Sequence, residues 1–117
     1  MTNLKSLLNE LIRVEGITTA VVVGRDGFVI EGDSKGKADI EAVGAVVSTG
    51  VGASEMMGAS LGAGEMTQGM VEYRDGVIVI GLLGKKAVLA VVADSQANVG
   101  NVRYQVKQRT DALERAL

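Results

Sequence analysis

The chain has 117 residues, no cysteine, no histidine and a formal net charge of −2. That fits one domain and excludes a disulfide framework, a thiolate metal site and any catalysis built on His or Cys. Charges of both signs are interspersed without an arginine-rich tract, which argues against nucleic acid, and no apolar run reaches the roughly 18 residues that cross a bilayer.

The N-terminal segment is amphipathic. Leu4, Leu7, Leu8 and Leu11 follow helical spacing over residues 3–14, with Asn3 or Thr2 as cap and Gly16 where a C-terminal glycine belongs. Its charges, Lys5, Glu10 and Arg13, and its lack of a small-residue cleavage site do not fit a signal peptide, so a cytoplasmic location without membrane insertion is expected. Residues 17–24 (ITTAVVVG) are β-branched and apolar on both faces, as a covered strand would be. Arg25-Asp26-Gly27 reads as a hairpin turn, with residues 28–32 (FVIEG) as the return strand.

A long helix is expected over residues 38–63, with Asp39 as cap. Ile40, Val43, Val47, Val51 or Ser54, Met57 and Leu61 recur at helical spacing. Its small residues are dense, and each interior glycine costs about 1 kcal/mol against alanine. Something must therefore approach this helix closely: its own sheet, a second subunit, or both. Residues 66–73 (MTQGMVEY), a second Arg74-Asp75-Gly76 turn, residues 77–84 (VIVIGLLG), a turn at Gly84-Lys85-Lys86 and residues 87–93 (AVLAVVA) read as a three-strand meander. The second Arg-Asp-Gly reads as hairpin chemistry used twice, not as a repeat. A last helix over 97–117 carries the stripe Val99, Val102, Val106, Leu113 and Leu117, with Asp94 or Ser95 as cap. Gly100 is expected to let it approach the sheet.

The order is α-β-β-α-β-β-β-α, an α+β fold. Strands 17–24, 77–84 and 87–93 should be central, and the two more polar strands should be edges. The third strand carries Gln68 and Glu72 but neither lysine nor proline, so its edge is weakly defended against a second copy. Pairing across a two-fold axis would join two sheets through an isologous interface. The residues expected there are Val43, Val46, Val47, Gly50, Ala53, Ser54 and Met57 of the middle helix, with Gln68, Met70 and Glu72 of the third strand.

The chemical inventory is thin. Ser34 and Lys37 match an S-x-x-K spacing, but nothing supports that chemistry. Gly81 to Lys86 is two residues too short for a phosphate loop and lies in a hairpin. Gly50-Val51-Gly52 falls mid-helix and lacks the third glycine of a dinucleotide fingerprint. Glu31 and Asp33 read as solvated edge charges. No catalytic residue, metal or cofactor is expected. Met56, Met57, Met66 and Met70 are read first as core, second as an adaptable binding surface.

Three stretches resemble the roadblock/LC7 family: Gly16 through Val23 with Arg25-Asp26-Gly27-Phe28-Val29-Ile30, Val71 through Tyr73 with Asp75 to Val79, and, most specifically, Leu89 through Arg103 with its Asn98-Val99-Gly100. The resemblance implies a five-stranded antiparallel sheet with one long helix on one face and two terminal helices on the other, a profilin-like layout. It implies dimers joined through the middle helix and third strand, and association with small Ras-like GTPases or with motor and scaffold assemblies. Bacterial members regulate the nucleotide cycle of a polarity GTPase, and a related group serves as accessory adaptors. Three functions follow: a homodimeric GTPase regulator, a non-catalytic adaptor docking other roadblock, motility or motor proteins, and, against the aliphatic composition, a small-molecule sensor.

Overall fold

The structure, a computed structural model, describes residues 3–117; the cap expected at Thr2 lies outside them. The chain forms α1 (Leu4–Ile12), β1 (Ile17–Gly24), β2 (Val29–Ser34), α2 (Ile40–Leu61), β3 (Gln68–Tyr73), β4 (Gly76–Leu83), β5 (Ala87–Asp94) and α3 (Val99–Ala116). The strands make one antiparallel sheet ordered β2-β1-β5-β4-β3. The three doubly apolar strands are central and the two polar ones are the edges, as their composition predicts.

Each helix begins where a side chain satisfies its first orphan amides. Asn3 Oδ1 accepts from Ser6 N at 2.9 Å, and Ser6 Oγ accepts from the Asn3 backbone N–H at 3.3 Å, closing a capping box. Asp39 accepts from Ala42 N at 3.1 Å. Asn98, not Asp94 or Ser95, caps α3 by accepting from Asn101 N at 2.9 Å; the Asp94 carboxylate is spent one turn earlier, on Gln96 N. At the end of α1 the cap is Arg13 rather than Gly16, which sits three residues on in the turn to β1.

The two Arg-Asp-Gly tripeptides build different turns. In the first, Gly27 takes φ +91°, Gly27 N bonds Gly24 O at 3.0 Å, and Asp26 braces Phe28 N at 3.0 Å. In the second, Tyr73 pairs directly with Gly76, so Arg74 and Asp75 alone form the loop. Gly76 is already strand, and a Cβ there would sit 2.6 Å from the Ala93 carbonyl oxygen. One glycine is needed for its backbone conformation, the other for close approach.

The sheet separates two apolar layers. On one face α1 and α3 close over Ala20, Val22, Val77, Val79, Leu89 and Val91, burying Leu8, Leu11, Val106 and Leu113 completely. Gly81, not Gly100, is where α3 comes close: a Cβ at Gly81 would meet Val106 and Thr110 at 3.0 Å, whereas Gly100 is exposed. The other face carries Val21, Val23, Ile80, Val88 and Ala90 under Val47 and Val51 of α2. The main packing partners of α2 are β1, β2 and β5, so its cover stops short of the β3–β4 edge.

Candidate functional site: the open flank of α2 and the β3 edge

Four residues show how incompletely this second face is closed. Val46 is 71% exposed, Met56 72%, Met57 62% and Val71 46%. Lone exposed apolar residues are ordinary, but Val46 and Met57 lie on one flank of α2, eleven residues or three turns apart. Three of the four methionines expected in the core therefore lie outside it: Met56, Met57 and Met70 are exposed, and only Met66 packs against the α2-side layer.

The geometry of α2 sorts its residues. Gly44, Val47 and Val51 point sheetward and are buried. A Cβ on Gly44 would lie 2.9 Å from Val29 Cγ2 and 3.3 Å from Gly27 O, so this glycine serves the helix's own sheet. Gly50 and Gly52 differ: a Cβ at either meets nothing within 4 Å. Their helix-propensity cost has no return inside the chain. Val43, Val46, Gly50, Ala53 and Met57 recur at spacings of three and four, the seam of a coiled coil, with the smallest residues at its middle. Val43 is half-buried and the other four are exposed. Ser54, beside this seam, returns its hydroxyl to Gly50 O at 2.9 Å. Val47 already belongs to the intramolecular core. On the opposite flank, Ser48 donates to Arg25 O at 3.1 Å and Glu55 pairs with the Arg25 guanidinium, fastening α2 to the first hairpin.

Beside the seam lies β3, whose outer edge has no strand neighbour. Its register fixes which side chains share a face with α2. Gln68, Met70 and Glu72 pair with Gly81, Val79 and Val77, which places them on the α1/α3 side; Gln68 accordingly accepts from Arg103 Nε of α3 at 3.4 Å. Gly69, Val71 and Tyr73 face the α2 side. The two exposed side chains there, Val71 and Tyr73, are absent from the sequence-derived set. A groove of about 330 Å³ runs between Gly50, Ser54 and Gly58 of α2 and Gly69, Val71 and Ile80 of the sheet.

The residues singled out for chemistry do not converge. The Ser34 hydroxyl lies 3.1 Å from Thr19 Oγ1 and donates to Thr18 O at 3.2 Å, a loop-closing role. Glu31 pairs with Lys5 at 3.9 Å, while Asp33 accepts from Ser34 N at 2.9 Å. Gly84 to Lys86 is the β4–β5 turn. Arg74 sits on a fully exposed turn, with Asp75 Oδ1 3.5 Å from its Nε. Among the described residues no helix is long and apolar enough to cross a membrane.

A five-stranded antiparallel sheet with one long helix on one face, two terminal helices on the other, and an open helix-and-edge surface defines a small α+β domain. The Roadblock/LC7 family model matches residues 4–93, and the chain belongs to that family. A protein of Methanocaldococcus jannaschii is 36% identical over 108 residues, 92% of this chain and 94% of its own length. Two solved structures share the fold: gliding protein MglB of Thermus thermophilus, with TM-score 0.88, 22% identity and coverage of 96% and 86% of the two chains, and MglC of Myxococcus xanthus, with TM-score 0.68, 20% identity and coverage of 97% and 98%.

Proposed function

We propose that the chain works as a homodimer joined through α2 and the β3 edge, and that the dimer is a non-enzymatic binding module for a small Ras-like GTPase whose nucleotide cycle it regulates. The observation that carries this is the Val43-Val46-Gly50-Ala53-Met57 seam, exposed at all but the half-buried Val43 and lying beside an unpaired strand edge. An antiparallel partner helix centred between Gly50 and Ala53 sets Val46 against the partner's Met57 and leaves the two backbones free to approach. Edge pairing of β3 with its symmetry mate satisfies amides and carbonyls that otherwise face water. Val71 then supplies apolar contact from the α2 face, and Met70 also borders the groove between α2 and β3.

Any effect on the GTPase is conformational. The α2 seam has no arginine, Arg25 is held by Glu55, and Arg74, the nearest other candidate, sits on the exposed β3–β4 turn beside Asp75. Nothing on the seam therefore offers the positioned guanidinium that stabilises a phosphoryl-transfer transition state. The same absence favours the second reading, an adaptor that docks other roadblock or motility proteins without altering hydrolysis; one structural neighbour carries the name of a gliding protein. The test is GTP turnover by a Ras-like GTPase of the same organism with and without the dimer. Faster turnover supports regulation, binding at unchanged turnover supports the adaptor, and no binding in either nucleotide state removes the regulator. Location in the cytoplasm is part of the same reading.

A further inference from the structure

A second surface lies at the end of the sheet that carries the first hairpin and the β4–β5 turn. Two hollows there, of about 420 and 630 Å³, share Glu65, Met66, Leu82, Gly84 and Lys85 as lining, so they form one groove. It runs from Arg25 and Glu55 at one end to Arg103 and Lys107 of α3 at the other. Four cations line it: Arg25, Lys85, Arg103 and Lys107. Its lining carboxylates are Glu55, already paired with Arg25, and Glu65, while the Glu114 carboxylate of α3 stands against Gly84 at its margin. Lys85, Arg103 and Lys107 have no ion-pair partner among the described residues. In a chain of net charge −2, this concentration of unpaired positive charge is local and is not the reflection of a basic protein.

The arrangement selects the form of its ligand. Arg103 is steadied through Nε by Gln68, which leaves the terminal guanidinium nitrogens free for bidentate contact with a carboxylate. Lys107 follows one helical turn later, a rise of about 6 Å. Alternate residues of an extended peptide are spaced about 6.6 Å apart on one face. The cations are spread along the groove rather than gathered at one point, which suits a chain and not a single small anion. Met66 and Leu82 give the floor apolar area between the charges. No aromatic side chain lines the groove to stack a base, so a single-stranded nucleic acid finds no platform.

We propose that this groove binds an extended acidic segment of a partner protein, with carboxylates at alternate positions engaging Arg103, Lys107 and Lys85. None of the α2 seam residues lines the hollow that holds Arg103 and Lys107, although Gln68 of the β3 edge borders it, and peptide binding is read separately from dimer formation.

The test is fluorescence anisotropy of a labelled peptide of alternating glutamate and serine, with a glutamine–serine peptide as neutral control. Two variants carry equal charge loss: Lys85→Gln/Arg103→Gln/Lys107→Gln in the groove, and Arg13→Gln/Lys35→Gln/Lys37→Gln away from it. The acidic peptide is expected to bind the wild type, more weakly as salt rises. It is expected to bind the groove variant about tenfold less tightly, three exposed ion pairs being lost, and to bind the control variant unchanged. Three results overturn the proposal: no binding by the wild type, equal loss in both variants, or tighter binding of inorganic phosphate or oligothymidylate at the same residues. Should the groove variant fail to fold, amide shift mapping on the wild type decides: shifts at Lys85, Arg103 and Lys107 support the site, and shifts confined elsewhere refute it.

Discussion

The two faces of the sheet are built from the same aliphatic vocabulary and end differently. Under α1 and α3 the apolar layer is finished within the chain, with Leu8, Leu11, Leu89, Val106 and Leu113 all at zero exposure. Under α2 the layer is finished over β1, β5 and Ile80 of β4, and Val46, Met57, Val71 and Tyr73 remain open. The glycines repeat the contrast along one helix: Gly44 fills a need of the chain's own sheet, while Gly50 and Gly52 fill none that the single chain contains. A face that is closed alone reports on folding, and a face that is left open reports on association.

That contrast breaks most visibly at Leu11. Leu11→Ala removes a fully buried side chain from the closed face and is expected to cost about 2–5 kcal/mol, read as a lower denaturant midpoint at unchanged slope. A loss under about 1 kcal/mol would mean that this face is not the finished one. Ala53→Glu, on the open flank, is expected to leave the single chain folded. Across a two-fold axis it sets carboxylates near one another in a desolvated seam, so dimer affinity should fall by about 3 kcal/mol, over a hundredfold. Sedimentation at graded concentration with circular dichroism separates the two effects.

The glycine pair sharpens the comparison at smaller scale. Gly44→Ala pushes a methyl into Val29 and should destabilise the fold by about 1 kcal/mol or more. Gly50→Ala should do the opposite in the Ala53→Glu background, raising stability by about 0.5–1 kcal/mol through helix propensity. In the wild-type background the same methyl should weaken the dimer by about tenfold, because the helices no longer approach as closely. Equal signs for Gly50→Ala in both backgrounds would count against helix contact at that residue. The smallest effect is expected at Arg25. Its ion pair with Glu55 is about one-third exposed at each end, so Arg25→Gln should change thermal stability by less than about 1 kcal/mol.

Much of this was legible in the sequence, for physical reasons. The β-branched run of β1 gave its bounds at residues 17–24, and polar alternation marked the two edges because an edge strand meets water. Asp39 was readable as a cap because its side chain acts locally. Facing was harder. VIVIG is apolar at every position, so it does not say whether Val77 and Val79 or Ile78 and Ile80 look toward α2, and the paired residues of β3 inherit that ambiguity. Gln68, Met70 and Glu72 were expected at the interface because their strand edge carries neither lysine nor proline, and register adds that Val71 and Tyr73 are the exposed side chains on the α2 face. The Arg-Asp-Gly turns were found but not distinguished, since their difference lies in what each glycine meets across the sheet. The same holds for Gly100 and Gly81: only the tertiary packing tells which one α3 approaches.

Sedimentation equilibrium of the purified chain reads association through α2 and β3 without a partner. A species of twice the 12.1 kDa chain mass is expected for the wild type, and one of the single-chain mass for a folded Ala53→Glu variant at the same concentration. A wild-type protein that stays at 12.1 kDa up to the highest workable concentration, or an Ala53→Glu variant that remains fully dimeric, would contradict that association.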